Sequence, residues 1–171
     1  MNTHRPPTIE TNFSELPSDS KERHEMLVDV FGRYLFWLRN WTVDATRQLS
    51  QNEETREKLG AMRRIKYDEC SAFTLAQQET VCKISEATVD RFIQLFLTML
   101  AGASIDQRLG KDHAFQFKLY IEISNVDNGD VVEKATINRG GKKFFADYWG
   151  RWLNQFATSR KGQPPIKGQV R

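Results

Sequence analysis

Two short stretches place residue types that chemistry needs at a spacing chemistry can use. The first is NRGGKKFF, Asn138 to Phe145, in which Arg139, Gly140, Gly141, Lys142 and Lys143 follow one another. Paired glycines let successive backbone N–H groups turn towards one point, and a helix start adds the positive end of its dipole. The five residues therefore form a candidate anion- or partner-binding turn. It is not a phosphate loop, because the four-residue spacing and the Ser or Thr after the lysine are missing. Lysines in a first helical turn oppose the dipole, which favours something anionic there. The plainer account is a flexible strand-to-helix turn with two solvated lysines.

The second stretch is GASIDQRLGKDH, Gly102 to His113, which carries Asp106, Arg108, Asp112 and His113. A carboxylate can orient an imidazole as a proton acceptor while an arginine clamps an anion, so this loop is the alternative site and the place where an enzyme reading would live. Its plainer account is a polar crossover in which Arg108 and Asp106 pair or cap a helix. His24, between Glu22 and Glu25, reads as part of a solvated helix face.

Other chemistries lack their residues. None of His4, His24 and His113 has a Glu three positions before it, which removes the carboxylate-bridged di-metal bundle. The sequence has no nucleophile elbow, Walker loop, dinucleotide fingerprint or His-Glu-x-x-His helix, so no catalytic residue, metal or cofactor is assigned. Cys70 and Cys82 stand alone, without the second pair of a zinc or redox motif. With helix between them their Cα atoms would lie about 18 Å apart, beyond the ~7 Å reach of a disulfide. Two free thiols agree with a reducing, cytoplasmic compartment.

The elements that must position these stretches are legible from periodicity. Residues 1–17 hold three of the five prolines and only isolated hydrophobes, and read as a flexible arm. Asp19 and Glu22 have the form of a capping box, after which Leu27, Phe31, Tyr34, Leu38, Trp41, Ala45 and Leu49 mark a helix over about Lys21 to Leu49. Gly32 costs this helix roughly 1 kcal/mol relative to Ala unless a neighbour must come close. A shorter, exposed helix follows, carrying Leu59, Met62 and Ile65. A second long helix begins after Tyr67 and Asp68, and Gly102 ends it as a left-handed cap. Its last three turns are apolar nearly all round, which marks it as the central helix.

The period then changes from helical to alternating. Phe115, Phe117, Leu119, Ile121 and Ile123 form one apolar face of a half-buried strand, Asn128-Gly129 supplies a turn, and Val131 to Ile137 return. Phe144, Phe145, Tyr148, Trp149, Trp152, Leu153 and Phe156 recur at three and four, giving a terminal aromatic helix in which Phe144 and one tryptophan have room to protrude. Residues 159–171 are basic and punctuated by Gly and Pro, and read as a disordered tail.

The expected fold is α+β, a single domain over 18–158: mainly helical, with two long helices, a shorter one, one long β-hairpin and the aromatic amphipathic helix. Charge is bipolar. Residues 139–171 hold eight basic side chains against Asp147 alone, a net of +7, while the rest carry 17 basic and 21 acidic groups, a net of −4. The longest uncharged apolar stretch, Phe92 to Ile105, is fourteen residues, short of the roughly twenty a membrane span needs. No leader-like apolar run follows the first residues, and no membrane partner is expected. Absent motifs, a bipolar surface and an open hairpin edge point to a non-catalytic intracellular protein-binding module: an adaptor, an inhibitor or an immunity-type protein, acting on another protein or on a second copy as a homodimer. The alternative is a nucleic-acid or anionic-ligand binder using the basic C-terminal segment.

Overall fold

The computed structural model describes residues 17–102, 108–109, 111 and 113–157, and at 108, 109, 113 and 114 the backbone alone. The expected arm, apart from Pro17, and the expected basic tail lie outside the described residues. In chain order the helices are α1 (Ser20–Gln51), α2 (Glu53–Glu57), α3 (Ala61–Asp68) and α4 (Leu75–Ala101). Two short strands follow, β1 (Arg108–Leu109) and β2 (His113–Ala114), then β3 (Tyr120–Ser124), β4 (Val131–Thr136) and α5 (Tyr148–Phe156). This is the mainly helical α+β fold with a hairpin and a C-terminal aromatic helix. None of the described helices is long and apolar enough to cross a membrane.

The described chain falls into two compact units, and α1 and α4 supply residues to both. One unit comprises residues Leu38–Ile93. Its buried hydrophobes are few and small, Val43, Leu49, Cys82 and Ile93, and its interior is completed by polar groups. Arg39 is fully buried and donates to Asp90 at 2.8 Å and to Glu86 at 2.6 Å. Arg47 reaches Glu79 at 3.5 Å, so the two helices run antiparallel here. Arg56, on α2, donates to the carbonyls of Leu49 and Ser50 and so satisfies acceptors that the end of α1 leaves open. The expected short helix is two, α2 and α3, broken before Gly60, the N-cap of α3. α4 also starts later than expected. A 3-10 turn occupies Glu69–Ala72, and Thr74 and Gln77 then form the capping box, with Thr74 N–H donating to Gln77 Oε1 at 2.8 Å. The thiols of Cys70 and Cys82 are free.

The other unit comprises the residues up to Trp37 and those from Gln94 on. Asp19 Oδ1 accepts the N–H groups of Lys21 and Glu22 at 2.9 Å each and so starts α1. α5 and the 3-10 turn before it lay their aromatic side chains on α1: Phe36 meets Trp149 with ring centroids 5.0 Å apart, and Phe31 meets Phe145 at 5.7 Å. Trp152 is fully buried over Gly32, where a Cβ would lie 2.3 Å from its Cε2 atom. Phe144 is exposed, as expected, but Trp149 and Trp152 are both buried, so no tryptophan of this helix protrudes.

β3 and β4 are antiparallel, pairing Tyr120 with Thr136, Ile121 with Ala135, Glu122 with Lys134 and Ile123 with Glu133 before a bulge. Ile121 and Ile123 are half-buried and their neighbours exposed, which fits the alternation. The expected strand is longer than the observed one. Beyond the bond from Ile137 N–H to Leu119 O the ladder stops, and Asn138 takes over: its side chain accepts from Leu119 N–H at 3.0 Å and donates to Phe117 O at 3.0 Å. The reversal also exceeds a two-residue turn. Only Gly129 in it takes a positive φ, at +75°, and the loop closes by Gly129 N–H to Asn125 O and Asn125 N–H to Asp130 O.

The last turns of α4 are not enclosed all round, in contrast to the sequence expectation. Leu97 and Leu100 are buried, yet Phe92 is 68% exposed and Leu95 50%. Composition fixes which positions are apolar, whereas burial depends on what packs against them. Gly102, at φ +73°, ends the helix as expected.

Candidate functional site

The turn from Arg139 to Lys143 sits between the end of α4, the start of α1 and the first turn of α5. Asn138 fixes where it begins, donating to Leu100 O at 2.7 Å in addition to its bonds to the 117–119 segment. Arg139 then turns to α4, and its Nη1 donates to Ala101 O at 2.8 Å. A cation on the last carbonyls of a helix is favoured by the dipole, so this guanidinium acts as a C-terminal cap. Gly140 has φ +81°, a conformation that needs glycine and swings the chain back towards α1.

Beyond Gly140 the chain meets α1. The side of Gly141 without a Cβ faces His24 and Tyr148: an added Cβ would lie 2.8 Å from His24 Nε2 and 3.1 Å from Tyr148 Oη. The backbone N–H of Lys142 donates to Glu25 Oε1 at 3.2 Å. Tyr148 O–H donates to the same oxygen, and Arg151 Nη1 reaches the other at 3.4 Å. Arg151 also donates to Asp29, which accepts from Trp152 Nε1 at 3.0 Å. The anion that the turn faces is thus the protein's own Glu25. The side chains of Lys142, Lys143 and Phe144 are exposed.

These contacts set the charge states. Burial pushes the Glu25 carboxyl up, but the bonds from Tyr148 and Lys142 and the charge of Arg151 outweigh it and hold the group below its ordinary value. For Tyr148 burial and the bond to Glu25 act together, and the phenol is pushed well up. The pair is a carboxylate and a neutral phenol over a wide pH range.

Of the five residues expected at this site, Gly141 and Lys142 meet α1 and α5, Arg139 points to α4, and the lysine side chains face solvent. The lysines precede α5 rather than open it, since a 3-10 turn at Phe145–Asp147 comes first. Sequence reasoning missed Glu25, Asp29, Tyr148 and Arg151. The matched spacings, Glu25 with Asp29 and Tyr148 with Arg151, were visible, but nothing local says that the two pairs meet. His24 is not on a fully solvated face, for its Nε2 is sealed from solvent. Of the alternative loop, the backbone at Arg108 and His113 lies in a small antiparallel ladder, Arg108 opposite Ala114 and Leu109 opposite His113. Asp106 and Asp112 lie outside the described residues. No group of His, Cys, Asp and Glu among the described residues is arranged to hold a metal ion. Comparisons with family models, curated proteins and solved structures found no match.

Proposed function

We propose that the protein is a non-catalytic, intracellular protein-binding module that takes an extended segment of its partner onto the edge of the β3–β4 hairpin. The observation that carries this reading is the state of that edge. The sheet has two strands, with no third among the described residues. Ile137 N–H donates to Leu119 O at 2.9 Å, which makes 119 and 137 a hydrogen-bonded pair. By the alternation of an antiparallel ladder, Ile121 with Ala135 and Ile123 with Glu133 are then bonded inward, while Tyr120 and Glu122 on one side and Lys134 and Thr136 on the other present N–H and C=O outward. Tyr120, Val131 and Val132 add exposed apolar surface beside those groups. Backbone donors and acceptors next to exposed apolar side chains are what strand addition uses. Free thiols at Cys70 and Cys82 support an intracellular setting.

Lys134→Pro tests the edge, because it removes one outward N–H and leaves the inward bonds in place, and Lys134→Ala controls for the side chain. Partners captured from native lysate by the parent and by Lys134→Ala, but lost with Lys134→Pro at unchanged fold, are the expected result. Equal capture by all three would overturn strand addition. The second reading, a nucleic-acid binder, is favoured by the adjacent exposed Lys142, Lys143 and Phe144. Loss of the captured partners on nuclease treatment would move the function to that reading.

A further inference from the structure

His24 lies against the Gly140–Lys143 turn, and the contacts above leave its ring unused. Its Nε2 is sealed from solvent and makes no hydrogen bond among the described residues, and it lies under Gly141, the residue whose missing side chain makes room for it. A neutral imidazole tolerates this, because the sealed nitrogen can be the one without a proton. A protonated imidazole does not, because both nitrogens are then donors and Nε2–H needs an acceptor or water.

The carboxylates named around the turn among the described residues are already engaged. The titratable and charged groups around the turn are Arg23, Glu25 and Asp29 on α1, Lys142 and Lys143 on the turn itself, Tyr148 and Arg151 on α5, and Glu133 on β4. Glu133 pairs with Arg23 at 3.6 Å. Glu25 already accepts from Lys142, Tyr148 and Arg151, and Asp29 from Arg151 and Trp152. Arg151 adds a like charge. A proton taken up by His24 therefore either competes for the Glu25 oxygens or draws the ring towards water, and both weaken the Lys142 N–H to Glu25 bond.

We infer that His24 is a pH-sensitive latch: neutral, it packs under Gly141 and lets the Gly140–Lys143 turn close on α1; protonated, it releases the turn. Glu25 does not confuse the assignment, since its carboxyl is held below its ordinary value of 4.5 and stays charged above pH 5. Release frees the Lys142 N–H and Arg151 beside the exposed lysines, so acid converts a turn closed on its own carboxylate into one open to another anion. The inference is independent of what the hairpin edge binds.

Amide exchange of the full chain tests it by NMR, after correction for the intrinsic pH dependence of exchange. The Lys142 amide is expected to lose about tenfold or more of its protection between about pH 8 and about pH 5, along the same curve as the His24 ring signals. In His24→Gln the protection should be flat over that range. Unchanged Lys142 protection while His24 titrates would overturn the latch, and so would an equal loss in His24→Gln. Should that variant fold poorly, the coincidence of the two curves in the parent protein decides alone.

Discussion

Glu25 does at the Gly140–Lys143 turn what a bound anion would do, and its energetics follow from its partners. The folded carboxyl titrates below its ordinary value of 4.5, so the folded state holds fewer protons than the unfolded chain as the pH drops through that interval. The stability it contributes is therefore fully present above about pH 4.5 and is lost as the pH falls through the lowered folded value. Glu25→Gln keeps the size and an acceptor oxygen but discards the charge. Urea denaturation at neutral pH should show a loss of about 1.5–3 kcal/mol, the range for hydrogen bonds to a charged group. Below pH 4.5 the difference from the parent should shrink, because the unfolded parent takes up the proton first and the folded carboxyl follows only below its lowered value. A gap that stays constant down to about pH 2 would show that Glu25 is not charged in its site.

At the scale of elements, Gly32 shows a local rule giving way to packing. Alanine is favoured over glycine inside a helix by roughly 1 kcal/mol, so propensity alone makes Gly32→Ala stabilising. The structure reverses the sign. The new Cβ would sit 2.3 Å from Cε2 and 2.4 Å from Nε1 of Trp152, a rigid ring that is fully buried and bonded to Asp29. Overpacking of this kind costs typically 1–3 kcal/mol, so the expected net effect is destabilising, with a change in the near-UV dichroism of the tryptophans. Chemical denaturation giving an equal or more stable variant would mean that α5 is free to shift off α1. The sequence raised the question at Gly32 but could not answer it, since the answer sits at Trp152, 120 positions away. The same limit explains what was legible elsewhere. The stripes of α1 and α5 and the alternation at Ile121 and Ile123 were readable because each is set by residues within a few positions. The start of α4 is also local, since Thr74 and Gln77 have the spacing of a capping box. Exposure of Phe92 and Leu95, the clamp of Asn138 on the end of α4 and on residues 117–119, and the meeting of Glu25 with Lys142 and Tyr148 all depend on remote partners.

For the whole molecule, an open two-stranded sheet raises the question of what keeps one copy from pairing with another. Lys134 and Glu122 lie opposite each other near the middle of their strands, on the exposed face, and pair with each other while Lys134 sits 5.2 Å from the Tyr120 ring centre. Both also fall at positions whose backbone groups point outward. Two-fold pairing of β4 on a second β4 centred at Lys134 would set ammonium against ammonium, and β3 on β3 centred at Glu122 would set carboxylate against carboxylate. Like charges directly opposite are destabilising, and a charge in an edge strand is a common protection against this contact. Pairing β3 with the β4 of another copy avoids the repulsion but leaves both ends open, and such contacts extend rather than close. The charges thus bias the edge towards a different chain and away from itself. Replacing both, as Glu122→Val with Lys134→Val, removes the repulsion and raises strand propensity, while the exposed ion pair that is lost contributes little to stability. Sedimentation velocity over a concentration series should show the double variant associating more strongly than the parent, with unchanged far-UV dichroism at low concentration. Indistinguishable behaviour of the two proteins would mean that the edge is closed to strand addition of any kind, and the proposed binding mode would fall with it.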